Sequence, residues 1–325
     1  MARRVEPARG RAAAGPGGTA PDRAVTAFRC AAASLDRTES LVGTASTVRA
    51  FLLVEAPGAW GVDAVAGARL PDDVRAHLRW LGRDHGVRVL LIRDHVRRRP
   101  STVRVFAAYV GARGPFVETA ELPSLDAVRH LRVEGLAAGE RPGLTPYEGQ
   151  LFLVCTHGRH DACCAEQGRP LARALHAVAP EATWEVSHVG GDRFAPNVVV
   201  LPTGLYYGRL DPADAAAFVD THRSGRLSLP HLRGRCAFPF RVQAAEAFLR
   251  EHTGDTSLAA PRVLRAVRDG DLTRVAFELA GEPWDVVVRT DHVAPQQLTC
   301  RAANPSGALA HTLEHVGRWT APDQL

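Results

Sequence analysis

Apolar runs bounded by Gly and Pro recur along this chain, and their periodicity switches between that of strands and that of helices. The run VRAFLLVEAPGAW, Val48 to Trp60, is apolar and β-branched and closes on Pro-Gly, which predicts a buried strand. PDDVRAHLRWLGRDHG then sets Pro71 at a helix start, acids in the first turn, and Val74, Leu78 and Leu81 along one stripe. VRVLLIR (Val87 to Arg93) and the alternating STVRVFAAYV (Ser101 to Val110) read as two further strands. The polar, Gly- and Pro-rich GERPGLTPYEG, Gly139 to Gly149, marks a boundary.

The pattern restarts beyond that boundary. LFLVC (Leu151 to Cys155) predicts a short strand, followed by a polar loop and a helix with Pro170 early and Leu171, Leu175 and Val178 as its stripe. TWEVSHV reads as a strand, and NVVVLP with LYYGRL, separated by Thr203 and Gly204, as a hairpin. A capped helix follows from about Pro212 to His222, with Asp211 as N-cap and Gly225 past its end. The last segment holds a helix over Gln243 to His252, a second expected in PRVLRAVRDG, and strands expected in RVAFELA, WDVVVRT and QLTCRAA. No internal repeat is evident. These elements predict an α/β (α+β) chain with a disordered leader over residues 1–25 and an N-terminal α/β domain over 26–140. A thioredoxin-like domain over 148–255 and a small C-terminal α+β appendage over 256–325 complete it.

Composition narrows the class. The 325 residues are 46% hydrophobic and 23% charged, which suits a globular chain. The net charge of +5 comes entirely from Arg on the basic side, since the sequence has no Lys. No compact Arg cluster interleaved with aromatics marks a nucleic-acid surface. The leader lacks a signal-peptide core, and no apolar run approaches the ~20 residues of a membrane span, so a soluble, cytoplasmic protein is expected. In that compartment the six cysteines are thiols or ligands rather than disulfides.

The chemistry gathers in two loops. CTHGRHDACCAEQGRP puts Cys155 at a strand end and Cys164 just before a helix, two soft donors suited to zinc or an iron–sulfur cluster. SHVGGDRFAPN offers His188 and Asp192 at a spacing of four, with Gly190 and Gly191 free to turn around a bulky group. Cys163, next to Cys164, is expected to point elsewhere, and His157 and His160 to be loop residues or donors to a cluster. Cys30, Cys236 and Cys300 are isolated in sequence and read as ordinary thiols. Arg193 is placed to make a surface pair with Asp192, and Tyr206 and Tyr207 to pack on the sheet.

These two loops, with GTASTVRAFLLVEAPGAWG and RGRCAFPFRVQAAEA, resemble the sucrase/ferredoxin-like family within the thioredoxin-like ferredoxins. The resemblance implies a [2Fe–2S] cluster held by two Cys of the first loop and two residues of the second. That second pair is His-x-x-x-His in fungal members and Cys-x-x-x-Cys in other thioredoxin-like ferredoxins. Carried over, the ligands are Cys155, Cys164, His188 and, at the fourth position, Asp192. A carboxylate is a hard ligand for such an iron, so Cys163, His157 and His160 stay open as alternatives.

The resemblance thus implies an electron carrier that serves a redox partner protein, not a hydrolase, since no carboxylate pair for glycoside cleavage can be nominated. Two other classes fit the same residues: a structural zinc module that mediates interactions, and a thiol–disulfide protein cycling Cys155 and Cys164. The absence of C-x-x-C at a helix start counts against the latter.

Overall fold

Hydrogen bonding joins the first ten strands into one sheet. The computed structural model describes residues 27–96, 101–111 and 114–319, so the expected leader lies outside the described residues. Helix α1 (Cys30–Asp36) precedes β1 (Ala50–Glu55). Helices α2 (Ala64–Gly67) and α3 (Asp72–Asp84) lead to β2 (Arg88–Arg93), β3 (Val103–Tyr109), β4 (Phe116–Leu122) and the short β5 (Thr145–Pro146). Then come β6 (Leu151–Cys155), α4 (Ala162–Val178), β7 (Thr183–Val186), β8 (Val198–Leu201) and β9 (Leu205–Tyr207). Helix α5 (Ala215–Arg223), β10 (Leu232–Arg235) and α6 (Phe240–Thr253) follow. The last four strands, β11 (Arg262–Asp269), β12 (Leu272–Leu279), β13 (Glu282–Gln296) and β14 (Ser306–Arg318), form a separate antiparallel sheet.

The large sheet runs β10-β9-β8-β6-β7-β2-β1-β3-β4-β5 and contains one arrangement twice. In each half a strand crosses over through helix to a parallel neighbour, β1 to β2 and β6 to β7. An antiparallel pair then fills the other side, β3 and β4 in the first half, β8 and β9 in the second. The second half is thioredoxin-like in topology, and the first repeats its strand order without a repeat legible in the residues. The halves meet where β2 and β7 pair antiparallel through Ile92↔Val186 and Arg93↔Glu185. Ser187 extends the join: its N–H donates to Leu91 O at 2.8 Å, and its Oγ accepts from Leu91 N at 3.0 Å.

Strand alternation explains the layers. Phe51, Leu53, Ile92, Leu151, Leu153 and Val199 point to one face, where a single core spans both halves. The opposite face is covered half by half. Val74, Leu78 and Leu81 of α3 pack on Leu52, Val54 and Leu91, whereas Leu171 and Leu175 of α4 pack on Phe152, Val154 and Val200. Ala245 and Leu249 of α6 join the core of the small sheet through Val275, Phe277 and Val286.

Three local expectations are corrected. Helix α4 begins at Ala162, capped by Asp161, so Pro170 lies inside it. Pro170 is on the exposed side of the helix. PRVLRAVRDG is not a helix but the edge strand β11, whose Asp269 pairs with Leu272 across a two-residue turn with Gly270 at φ 56°. QLTCRAA is not a strand: Gln297 and Cys300 lie in the turn between β13 and β14.

Candidate metal centre

Parallel β6 and β7 end side by side, and α4 starts above them, so three chain segments open on one crevice. Cys155 is the last residue of β6, Cys164 stands in the first turn of α4, and His188 and Asp192 lie in the loop after β7. The capping that starts α4 comes from Asp161, whose side chain accepts from Cys163 N at 2.9 Å. Gly168 lets the helix press close to the strand end, because a Cβ there would stand 2.0 Å from the Cys155 carbonyl oxygen. Gly190 and Gly191 both take positive φ. A Cβ on Gly191 would run into the guanidinium of Arg233, which is buried and donates to Gly190 O (2.9 Å) and Asn197 Oδ1 (2.8 Å). Arg233 therefore fixes the second loop from behind.

The four residues carried from the sequence fall in two groups that share His188. Cys155, Cys164 and His188 each offer a ligand atom within 4.8 Å of the others. Asp192 Oδ1 lies 3.1 Å from Cys164 Sγ and 2.9 Å from His188 Nδ1. The histidine contact is off the line of a ring N–H, so this buried nitrogen has a charge partner but no directed hydrogen bond. Cys155, Cys164 and His188 form one group, and Asp192 joins His188 and His160 in a second that overlaps it, so two thiols and an imidazole with a carboxylate beside them make a donor set that fits a soft transition-metal centre.

Protonation in the metal-free site follows from the contacts. Hydrogen bonding from Cys164 and contact with His188 outweigh burial and hold the Cys155 thiol well below the ordinary range. Cys164 is pushed up correspondingly, by its bond to Cys155, by burial and by Asp192. Burial alone would lower His188, but Asp192 and Cys155 overcome it and raise the imidazole to about 9. Asp192 stays below the usual carboxylate range because the His188 charge outweighs its burial. Loading a metal onto these atoms therefore expels protons from Cys164 and His188.

Of the three alternatives for the fourth position, His160 alone groups with His188 and Asp192, with ligand atoms within 4.8 Å of one another. His157 Nδ1 accepts from His188 N at 3.2 Å, which leaves Nε2 to donate to Gly61 O at 2.6 Å. Both nitrogens are committed, so His157 positions the His188 backbone. His160 stacks on His188 with ring centroids 3.7 Å apart, and its Nε2 lies 3.9 Å from Asp192 Oδ2. Cys163 points to the other side of α4. There it meets Cys30 and Cys300, which are not isolated: with Asp161 they form a second cluster whose ligand atoms also lie within 4.8 Å. No spacing announces that group, since Cys30 and Cys300 are 270 positions apart. Cys236 is a core thiol, fully buried and pushed up to about 12 by that burial. Arg193 pairs with Glu39 at 2.6 Å rather than with Asp192, and Tyr206 and Tyr207 are buried on the sheet.

No helix of the described residues is long and apolar enough to cross a membrane. The chain is 35% identical over 82 residues to altered inheritance of mitochondria protein 32 from Meyerozyma guilliermondii, which is 22% of this chain and 29% of that protein. It thus spans under a third of that relative. Among solved structures, the thioredoxin-like [2Fe-2S] ferredoxin from Aquifex aeolicus is 20% identical at a TM-score of 0.25, covering 29% of this chain and 97% of that one. A cysteine-to-serine variant of the same ferredoxin is also 20% identical, at a TM-score of 0.23 over 26% of this chain and 97% of that one. The model of the sucrase/ferredoxin-like family matches residues 41–234, both loops of the candidate site included, and the chain belongs to that family.

Proposed function

We propose that this protein is an electron carrier holding a [2Fe–2S] cluster on Cys155, Cys164, His188 and Asp192. The grouping of Cys155, Cys164 and His188, with Asp192 beside Cys164 and His188, in the two loops spanned by the family match supports the reading. Such a cluster supplies one-electron transfer, at a potential raised where imidazole replaces thiolate. The chain's own residues do the rest. Asp161 and Gly168 set the start of α4 against β6, His157 holds the His188 backbone, and Arg233 fixes the loop between His188 and Asp192. The six free thiols support a reducing compartment, the cytoplasm in this reading.

His157, His160 and His188 border an open cleft of about 960 Å³ that Arg49, Arg79 and Arg88 also line, with Asp63 as a nearby acid. Arg88 donates to His188 O at 3.2 Å. This basic wall beside the site suits a redox partner with an acidic surface, whose electron exchange should slow as salt rises.

An absorption spectrum and metal analysis of anaerobically purified protein test the reading. A red-brown chain with about two irons and two acid-labile sulfides is expected. A second reading is favoured by Asp192 alone, because a carboxylate beside two thiolates and an imidazole suits tetrahedral zinc. Zinc at this site, with neither iron nor sulfide, would establish that reading and overturn the first.

A further inference from the structure

Adjacent cysteines on one helix turn face two different clusters. We propose that Cys30, Cys163 and Cys300, with the Asp161 carboxylate, form a second metal site that takes one thiophilic divalent ion such as zinc. Cys163 Sγ lies 3.4 Å from Cys300 Sγ, and Cys300 Sγ lies 3.6 Å from Cys30 Sγ. With a zinc–sulfur bond of about 2.3 Å, the sulfurs of a tetrahedral site stand about 3.8 Å apart, close to both separations. A disulfide needs about 2.05 Å and would leave one of the three sulfurs unused.

The fourth donor is already in place. Asp161 Oδ1 and Oδ2 lie 3.6 and 3.7 Å from Cys30 Sγ. Those oxygens also accept from the amides of two of the cysteines, Cys163 N at 2.9 Å and Cys300 N at 2.7 Å, and keep lone pairs for an ion. The Cys30 amide points at Cys300 Sγ at 3.4 Å, a contact that steadies a thiolate. Cys30, Cys163 and Asp161 are buried, while Cys300 is partly exposed and gives the ion its way in. Three thiolates and a carboxylate exceed the ion's charge by two, and Arg29 and Arg301 flank the site in sequence. Binding expels the thiol protons to solvent and leaves all oxidation states unchanged.

Metal analysis of the full chain, wild type and variants, decides the matter. About one zinc per chain should be lost in Cys30→Ser and in Cys300→Ser and kept in Cys155→Ser, which separates this site from the proposed cluster site. Zinc unchanged in Cys30→Ser and Cys300→Ser would overturn the proposal. So would two fewer free thiols in the denatured, unreduced wild type than its six cysteines supply. Wild-type protein offers a check that needs no variant. N-ethylmaleimide should label Cys300 faster after zinc is removed with a chelator, and equal rates would refute the site.

Discussion

Replacing His222 with Phe should make the fold more stable and less sensitive to acid. His222 is 1% exposed on α5, ringed by Phe152, Tyr207 and Phe218 at centroid distances of 5.8, 5.3 and 4.8 Å. Neither ring nitrogen has a hydrogen-bond partner among the described residues, and burial lowers the imidazole to about 4 from its ordinary 6.5. The folded chain therefore refuses a proton that the unfolded chain accepts below pH 6.5. Stability from this group is present above that pH, drains away as pH falls, and is fully lost below about 4. The gap of about 2.5 units corresponds to roughly 3 kcal/mol in all, of which about 2 kcal/mol is lost between pH 7 and pH 5. His222→Phe keeps a ring in the aromatic cluster and removes two unpaired polar atoms, worth about 1–3 kcal/mol at neutral pH. Urea unfolding of both proteins across pH 5 to 7 measures the difference, and metal loading affects both alike. The variant's advantage should widen by about 2 kcal/mol towards pH 5. An advantage that stays constant to within about 0.5 kcal/mol would refute a neutral, desolvated His222.

Three further outcomes follow from the site. Cys164→Ser should abolish the visible absorption while Cys236→Ser keeps it, and colour surviving in Cys164→Ser would remove that residue from the ligand set. Asp192→Ala should weaken metal retention about 10–100-fold, and Asp192→His should restore it, as followed by absorbance during chelator challenge. If Asp192→Ala keeps its metal, His160 is the next donor to test, since it stacks on His188. Gly168→Ala should lower the urea midpoint by an amount equivalent to about 2 kcal/mol or more and shift the visible spectrum, because its Cβ meets the Cys155 carbonyl.

Much of the fold was legible because its strands are short, apolar and punctuated. LFLVC is β6 residue for residue, and β8 and β9 form the hairpin that Thr203 and Gly204 suggest. The start of α4 was misplaced because Pro usually opens a helix, whereas here Asp161 caps it and Pro170 rides its wet side. β11 does not show as a strand in the residues because Arg262, Arg265 and Arg268 recur every third residue as on a helix face, and only the Asp-Gly turn at its end signals a hairpin. The donors of the candidate site were readable because each pair sits within one loop. Cys30 and Cys300 were not, since their meeting depends on how distant segments pack and leaves no local pattern.

The narrow join between β2 and β7 bears on where this chain can be cut. A protein beginning at residue 148 would keep Cys155, Cys164, His188 and Asp192, yet it would lose the strand that covers β7. Two buried residues, Glu185 and Val186, would lose their partners Arg93 and Ile92 and become a bare edge. Such an edge recruits any strand it meets, including that of another copy. Ser187, one residue before His188, would lose its anchor at Leu91 in the same stroke. Excising the thioredoxin-like half should thus yield a sticky fragment with a loosened His188 loop.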